Sequence, residues 1–179
     1  MQVISLSSLI EAASNEEEVA EYLSSSFSCS VNPDVEKFLH KKEMLNEKRS
    51  FTRTSLVIDE FQNNDIIGYF TLMIKPFEFI DGVSGSTKQK LTNDKHATIF
   101  NTILIAQLGR SEDYKGKVFG YEILQLALEN CKLIYNLSGL RVVCVEYDDK
   151  PILNDFYLKN EFKILQRNES GKLLAYLRL

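Results

Sequence analysis

Apolar and polar positions along this chain recur with two periods. Residues 66–74 are almost continuously apolar, as in a strand covered on both faces. The β-rich run 53–59 reaches them across the turn signal Gln62-Asn63-Asn64-Asp65, so the two runs read as a hairpin. The clearest strand is residues 98–106, within a β-like run from 97 to 108, and the β-branched run 140–147 predicts another. Between them the period changes. Ile123, Leu124, Ala127, Cys131, Ile134 and Tyr135 fall at helical spacing on one face of residues 118–135, a core helix that Ser138-Gly139 ends.

The flanking segments complete the pattern. Residues 3–6 read as a short first strand. Asn15 caps a helix that runs to about Ser26, and Glu16, Glu17 and Glu18 suit the positive end of its dipole. Pro33 opens a second helix, predicted to continue to Lys48 with Val35, Phe38, Leu39 and Leu45 near one face. Its other face is basic (Lys37, Lys41, Lys42, Lys48, Arg49). Glu36, Glu43 and Glu47 are interspersed, as on a solvated surface. Pro76 is expected to end the hairpin, leaving 77–96 as a long loop. Pro151 starts a short helix to about Lys159, and 162–166 pairs with 172–177 across Asn168-Glu169-Ser170-Gly171. The order β, α, α, β, β, β, α, β, α, β, β predicts an α/β chain: a mixed sheet of about six to seven strands flanked by helices, in one domain over residues 1–179.

Net charge narrows the partners. At −4, with a pI near 5.3, the surface carries no overall nucleic-acid or anionic-membrane footprint, although a local basic patch remains available. Cys29, Cys131 and Cys144 are odd in number and far apart, which fits free thiols in a reducing cytoplasm rather than disulfides or a metal site. His40 and His96 are isolated and read as surface residues. No charged leader precedes an apolar segment, and no run is long enough to span a membrane, so a cytoplasmic protein is expected. The segment with the most chemistry is Tyr114-Lys115-Gly116-Lys117-Val118-Phe119-Gly120-Tyr121. Strand, glycine loop and helix follow one another there, with lysines at the mouth. Backbone N–H groups at such a helix start can cradle a pyrophosphate, although the same residues also suit a plain strand-to-helix turn.

Residues 114–120 resemble the acetyl-CoA loop of the GNAT superfamily of N-acetyltransferases, whose pattern is Gln/Arg-x-x-Gly-x-Gly/Ala. Lys115 stands at its first position, Val118 at the first glycine and Gly120 at the second. Asn154-Asp155-Phe156-Tyr157-Leu158-Lys159-Asn160-Glu161-Phe162 resembles the late Phe-Tyr-x-x-x-Gly-Phe segment, with Glu161 in the glycine's place. Phe27-Ser28-Cys29, Val35, Phe38-Leu39 and Ile67-Gly68-Tyr69-Phe70-Thr71-Leu72 are similar to a bacterial subgroup that includes the acetyltransferase toxins of toxin–antitoxin pairs.

This resemblance implies a GNAT-like fold whose central parallel strands splay apart at the acetyl-CoA site. It places Leu108, Gly109 and Arg110 at the split against pantetheine. Pyrophosphate would lie on Lys115, Gly116, Lys117, Val118, Phe119 and Gly120, with Tyr121 beside them. It makes Tyr157 the proton donor to the leaving thiolate, with Glu146 as candidate base and no metal. The implied activity is transfer of acetyl from acetyl-CoA to a primary amine: a small molecule, a protein amine or an aminoacyl-tRNA. The implied partners are that amine substrate, a tRNA or an antitoxin, and a second copy in a homodimer, with no membrane. Val118 and Glu161 favour the alternative, a catalytically inactive GNAT-like domain that binds CoA or a protein.

Overall fold

The computed structural model describes residues 1–179. The strands are β1 (Gln2–Ser5), β2 (Arg53–Asp59), β3 (Asp65–Glu78), β4 (Ile99–Arg110), β5 (Val142–Tyr147), β6 (Lys163–Arg167) and β7 (Leu173–Arg178). The helices are α1 (Leu6–Ala12), α2 (Glu16–Ser26), α3 (Pro33–Lys41), α4 (Glu43–Lys48), α5 (Gly85–Thr92), α6 (Gly120–Ser138) and α7 (Pro151–Lys159). Strand order is β1-β2-β3-β4-β5-β7-β6. All the registered pairings are antiparallel except β4 with β5, where Ile103 lies opposite Val143 and Leu104 opposite Cys144. The expected mixed sheet with flanking helices is thus present.

The chain divides into two compact units. The first comprises Met1–Met73 and Ala106–Leu128, the second Ile74–Ile105 and Glu129–Leu179. In the first, Leu6, Leu23, Leu39, Leu56, Ile66 and Tyr69 are fully buried in one cluster. In the second, Val143, Cys144, Leu174 and Ala175 are fully buried along β5 and β7. All three cysteines are buried and free.

Five expectations need correction. The first strand ends at Ser5 rather than at residue 6, and runs into an unexpected helix: Ser5 caps α1 by accepting from the Ser8 N–H. Pro76 does not end β3, which continues to Glu78. The β2 register stops at Arg53 opposite Leu72, so β3 has outrun that partner before Pro76, and a missing N–H costs nothing on that side. Residues 77–96 are not all loop, because Ser84 caps α5 through the Thr87 N–H and Asn93 closes it at φ 66°. The helix from Pro33 also breaks, at Lys42, and α4 restarts on a different face. Leu45 is therefore 51% exposed, while Glu43 and Glu47 are buried. His40 is likewise only half-exposed, its Nε2 lying 3.0 Å from the Phe27 carbonyl oxygen.

Candidate functional site

The loop after β4 is built from local bonds. Ser111 donates its N–H to the Ile67 carbonyl, and residues Glu112–Tyr114 make a single 3₁₀ turn. Lys115 N–H then bonds back to Glu112, and Lys117 and Val118 N–H both bond to Tyr114. Gly116 makes the reversal possible at φ +80°, where a side chain is strained, and a Cβ there would meet nothing within 4 Å. Phe119 donates its N–H to the Glu122 carboxylate at 2.7 Å, which fixes the start of α6. Arg110 donates through Nη1 to the Val118 carbonyl at 2.9 Å and so straps the loop to its own strand, while its Nε is buried without a partner.

The chain's own bonds thus occupy the N–H groups of Lys115, Lys117, Val118 and Phe119. Gly116, Gly120 and Tyr121 have N–H groups that no other group of the chain accepts, at a mouth where Lys115 and Lys117 are exposed. Within the run from 115 to 121, those three N–H groups are the ones the chain does not bond itself. Val118 occupies a position with no left-handed requirement, since the positive φ falls on Gly116. Leu108, Gly109 and Arg110 are the last residues of β4. Gly109 is enclosed: a Cβ would lie 2.5 Å from Val35 Cγ1 and 3.1 Å from the Tyr69 ring. A Cβ on Gly68 would come 2.6 Å from the Gly109 carbonyl oxygen, so both glycines are there to let backbone approach closely.

Glu112 has a structural task that the sequence did not disclose. Its carboxylate accepts the Ser30 N–H at 3.0 Å and the Ser30 hydroxyl at 2.6 Å, and its own N–H donates to the Ser28 carbonyl. These bonds hold its carboxyl below the usual range. The α2–α3 turn is thereby clamped to the loop. Glu36 secures the same turn by accepting the Cys29 N–H at 2.7 Å.

In the second unit, Tyr157 lies on α7 within an aromatic cluster. Its ring is 4.6 Å from Tyr147, 5.0 Å from Phe156 and 5.6 Å from Phe162 by centroids. Burial, with the Tyr147 phenol beside it, pushes the Tyr157 phenol well above its ordinary value, so it stays protonated throughout the physiological range. The Tyr147 hydroxyl is buried without a partner. Glu146 is not brought to this cluster. Successive side chains on a strand point to opposite faces, and Tyr147 is the one that meets Tyr157. Glu146 Oε2 instead pairs with the Lys75 ammonium at 3.1 Å, and Oε1 accepts from the Asn168 amide at 2.8 Å.

Glu161, which stands where the resembled pattern has glycine, has φ 68° just beyond the α7 C-terminus. The left-handed turn is kept and a glutamate makes it, at a cost of about 1 kcal/mol relative to glycine. This departure is therefore a matter of helix termination. No group of three or more His, Cys, Asp or Glu side chains is placed to hold a metal ion. No helix is long and apolar enough to cross a membrane.

No family model matches the sequence, and no curated protein matches it either. Solved structures do. A tyrosine-to-phenylalanine mutant of KacT superposes with a TM-score of 0.71 at 16% identity, over 99% of this chain and 95% of that one. AtaT complexed with acetyl-methionyl-tRNAfMet gives 0.69 at 16% identity, over 84% and 85%. A structure described as a bacterial toxin gives 0.68 at 21% identity, over 85% and 80%. At such identities the likeness is one of fold, and that fold is the GNAT-like one shared with the toxin acetyltransferases.

Proposed function

We propose that this chain is an acyl-CoA-dependent N-acetyltransferase acting as one domain. The observation that carries the proposal is the loop after β4, with three unpaired N–H groups and two exposed lysines at a helix start. Acetyl-CoA would supply an activated acetyl group as a thioester. The loop's free N–H groups bind the pyrophosphate, and Leu108 to Arg110 offer backbone to pantetheine. Tyr157 donates its phenolic proton to the departing sulfur, a task suited to a buried phenol that is protonated at neutral pH. Glu146 is the carboxylate assigned to the amine side, where its negative charge, oriented by Lys75 and Asn168, attracts an ammonium and takes its proton through water.

For the acceptor we propose the α-amine of an aminoacyl-tRNA. Two things support this reading: one fold neighbour is in complex with acetyl-methionyl-tRNAfMet, and Lys37, Lys41 and Lys42 project into solvent from α3 and its end. Lys48 and Arg53 are spent elsewhere, on Glu16 and Glu47. An antitoxin is proposed as protein partner, since a fold neighbour is bound to the C-terminus of AtaR. The inactive alternative loses one of its two supports, because Glu161 makes the left-handed turn just beyond the Asn160 cap of α7.

The test is turnover by Tyr157→Phe. It should fall about 10²–10⁴-fold with acetyl-CoA binding intact, and induction of the wild type but not of the variant should arrest bacterial growth. Unchanged turnover would remove Tyr157 from the chemistry. Harmless induction with full turnover on small amines would remove the tRNA.

A further inference from the structure

Two aromatic rings stand in solvent at the start of α6. Phe119 is 55% and Tyr121 50% exposed, yet their rings stack at 5.8 Å between centroids and 17° between planes. They do not serve the core, which Ile123, Leu124 and Ala127 fill from the same helix. Their backbone is held, Phe119 by Glu122 and Tyr121 by the helix, so the pair is pre-organised. Lys115 and Lys117 lie on the adjoining loop, with the Lys117 ammonium 5.3 Å from the Tyr114 ring centroid.

We propose that this pair is the platform on which the adenine of the cosubstrate stacks, with Lys115 and Lys117 taking its 3′-phosphate. The proposal rests on the acetyl-CoA reading above and adds the nucleotide end to it. An apolar protein segment laid on the rings would leave two cations and unpaired N–H groups without counterparts. A phosphorylated purine nucleoside satisfies all of them at once: a flat π-face for the rings, and phosphates for the lysines and N–H groups. Base–aromatic stacking at such a platform strengthens binding about tenfold or more per base.

The experiment is calorimetric titration with acetyl-CoA, acetyl-3′-dephospho-CoA and acetyl-4′-phosphopantetheine, the last sharing the thioester but lacking the nucleoside. The proteins are the wild type, the double variant Phe119→Leu/Tyr121→Leu, and Phe119→Trp. The double variant should lose about tenfold or more in affinity for acetyl-CoA and none for the phosphopantetheine fragment. Phe119→Trp should match or exceed the wild type. The wild type should bind the 3′-dephospho form more weakly than acetyl-CoA, and this gap should close in high salt. Unchanged acetyl-CoA affinity in the double variant, or an equal loss for the fragment, overturns the platform while leaving the acetyl-CoA reading in place. A wild type that binds neither molecule overturns both. Retained binding of the fragment shows that the double variant is folded.

Discussion

Two places in the first unit hold unmet hydrogen-bonding capacity, and they face opposite ways. At the loop after β4 the unmet groups are donors, the N–H of Gly116, Gly120 and Tyr121, set among exposed lysines. At α4 the unmet group is an acceptor, Glu43 Oε2, in a side chain with no solvent exposure. Its other oxygen accepts from the Thr52 hydroxyl at 3.0 Å and from the Thr54 hydroxyl, which also contacts Thr71. Glu47 lies one helical turn on, accepting the Thr54 N–H at 2.9 Å and pairing with Arg53 at 3.3 Å. Unmet capacity that water can reach costs little and is available to a ligand. Unmet capacity sealed from water is borne by the folded state and surfaces as a dependence of stability on pH.

Substitutions can break that comparison, beginning with the inward site. Glu43→Ala strips two threonine hydroxyls of their acceptor and leaves a cavity, so unfolding in urea should show a loss of about 2–4 kcal/mol. Acetyl-CoA affinity of the folded fraction should not change. If affinity falls in step with stability, the two places are not separate.

Glu43→Gln sharpens the same contrast through pH. Burial raises the carboxyls of both Glu43 and Glu47, so folding favours their protonated forms. The resulting stability is complete below the ordinary carboxylate range and is lost as pH rises through the raised values. Urea midpoints of the wild type should therefore decline over that interval, and Glu43→Gln, neutral at every pH, should decline less. Parallel curves for the two proteins would mean that the Glu43 carboxyl holds its proton equally well in the folded and unfolded chain.

The smallest effect on stability belongs to the outward site. Lys115→Ala and Lys117→Ala should each leave the unfolding free energy within about 0.5 kcal/mol while weakening acetyl-CoA several-fold, and less so in high salt. A change of several kcal/mol in stability would make these lysines structural.

Where the sequence was legible, the information was local. The 53–59 and 66–74 hairpin and the buried stripe Ile123, Leu124, Ala127 and Cys131 announce themselves by period, and the structure has both. On the same helix, Tyr135 at 37% exposure marks where the stripe runs out. The break at Lys42 was not legible, because burying Glu43 is worthwhile only with hydroxyls from Thr52 and Thr54 opposite it, and no periodicity carries that. Pro76 misled for a similar reason: the rule that proline ends a strand presumes a partner on the side where β2 has already stopped. At the site, the loop was legible as strand, glycine and helix. Which of its N–H groups stay free depended on back-bonding to Tyr114 and on the Glu122 cap. That Glu146 faces away from Tyr157 follows from strand alternation, but only once Tyr147 is seen against Tyr157.

The division into two units has a consequence for synthesis. The first unit takes its segments from Met1–Met73 and Ala106–Leu128, so its sequence is not contiguous in the message. A ribosome that has released Met73 must add the fifty-five residues to Leu128 before that unit can close. At about 5–20 residues per second this is a delay of roughly 3–11 seconds. Until Ser111 has been added, over the larger part of that interval, the nascent chain holds β1, β2 and their four helices without the β4 segment that supplies Gly109. A protease pulse on stalled ribosomes should find the N-terminal half cleavable until that segment has emerged from the exit tunnel.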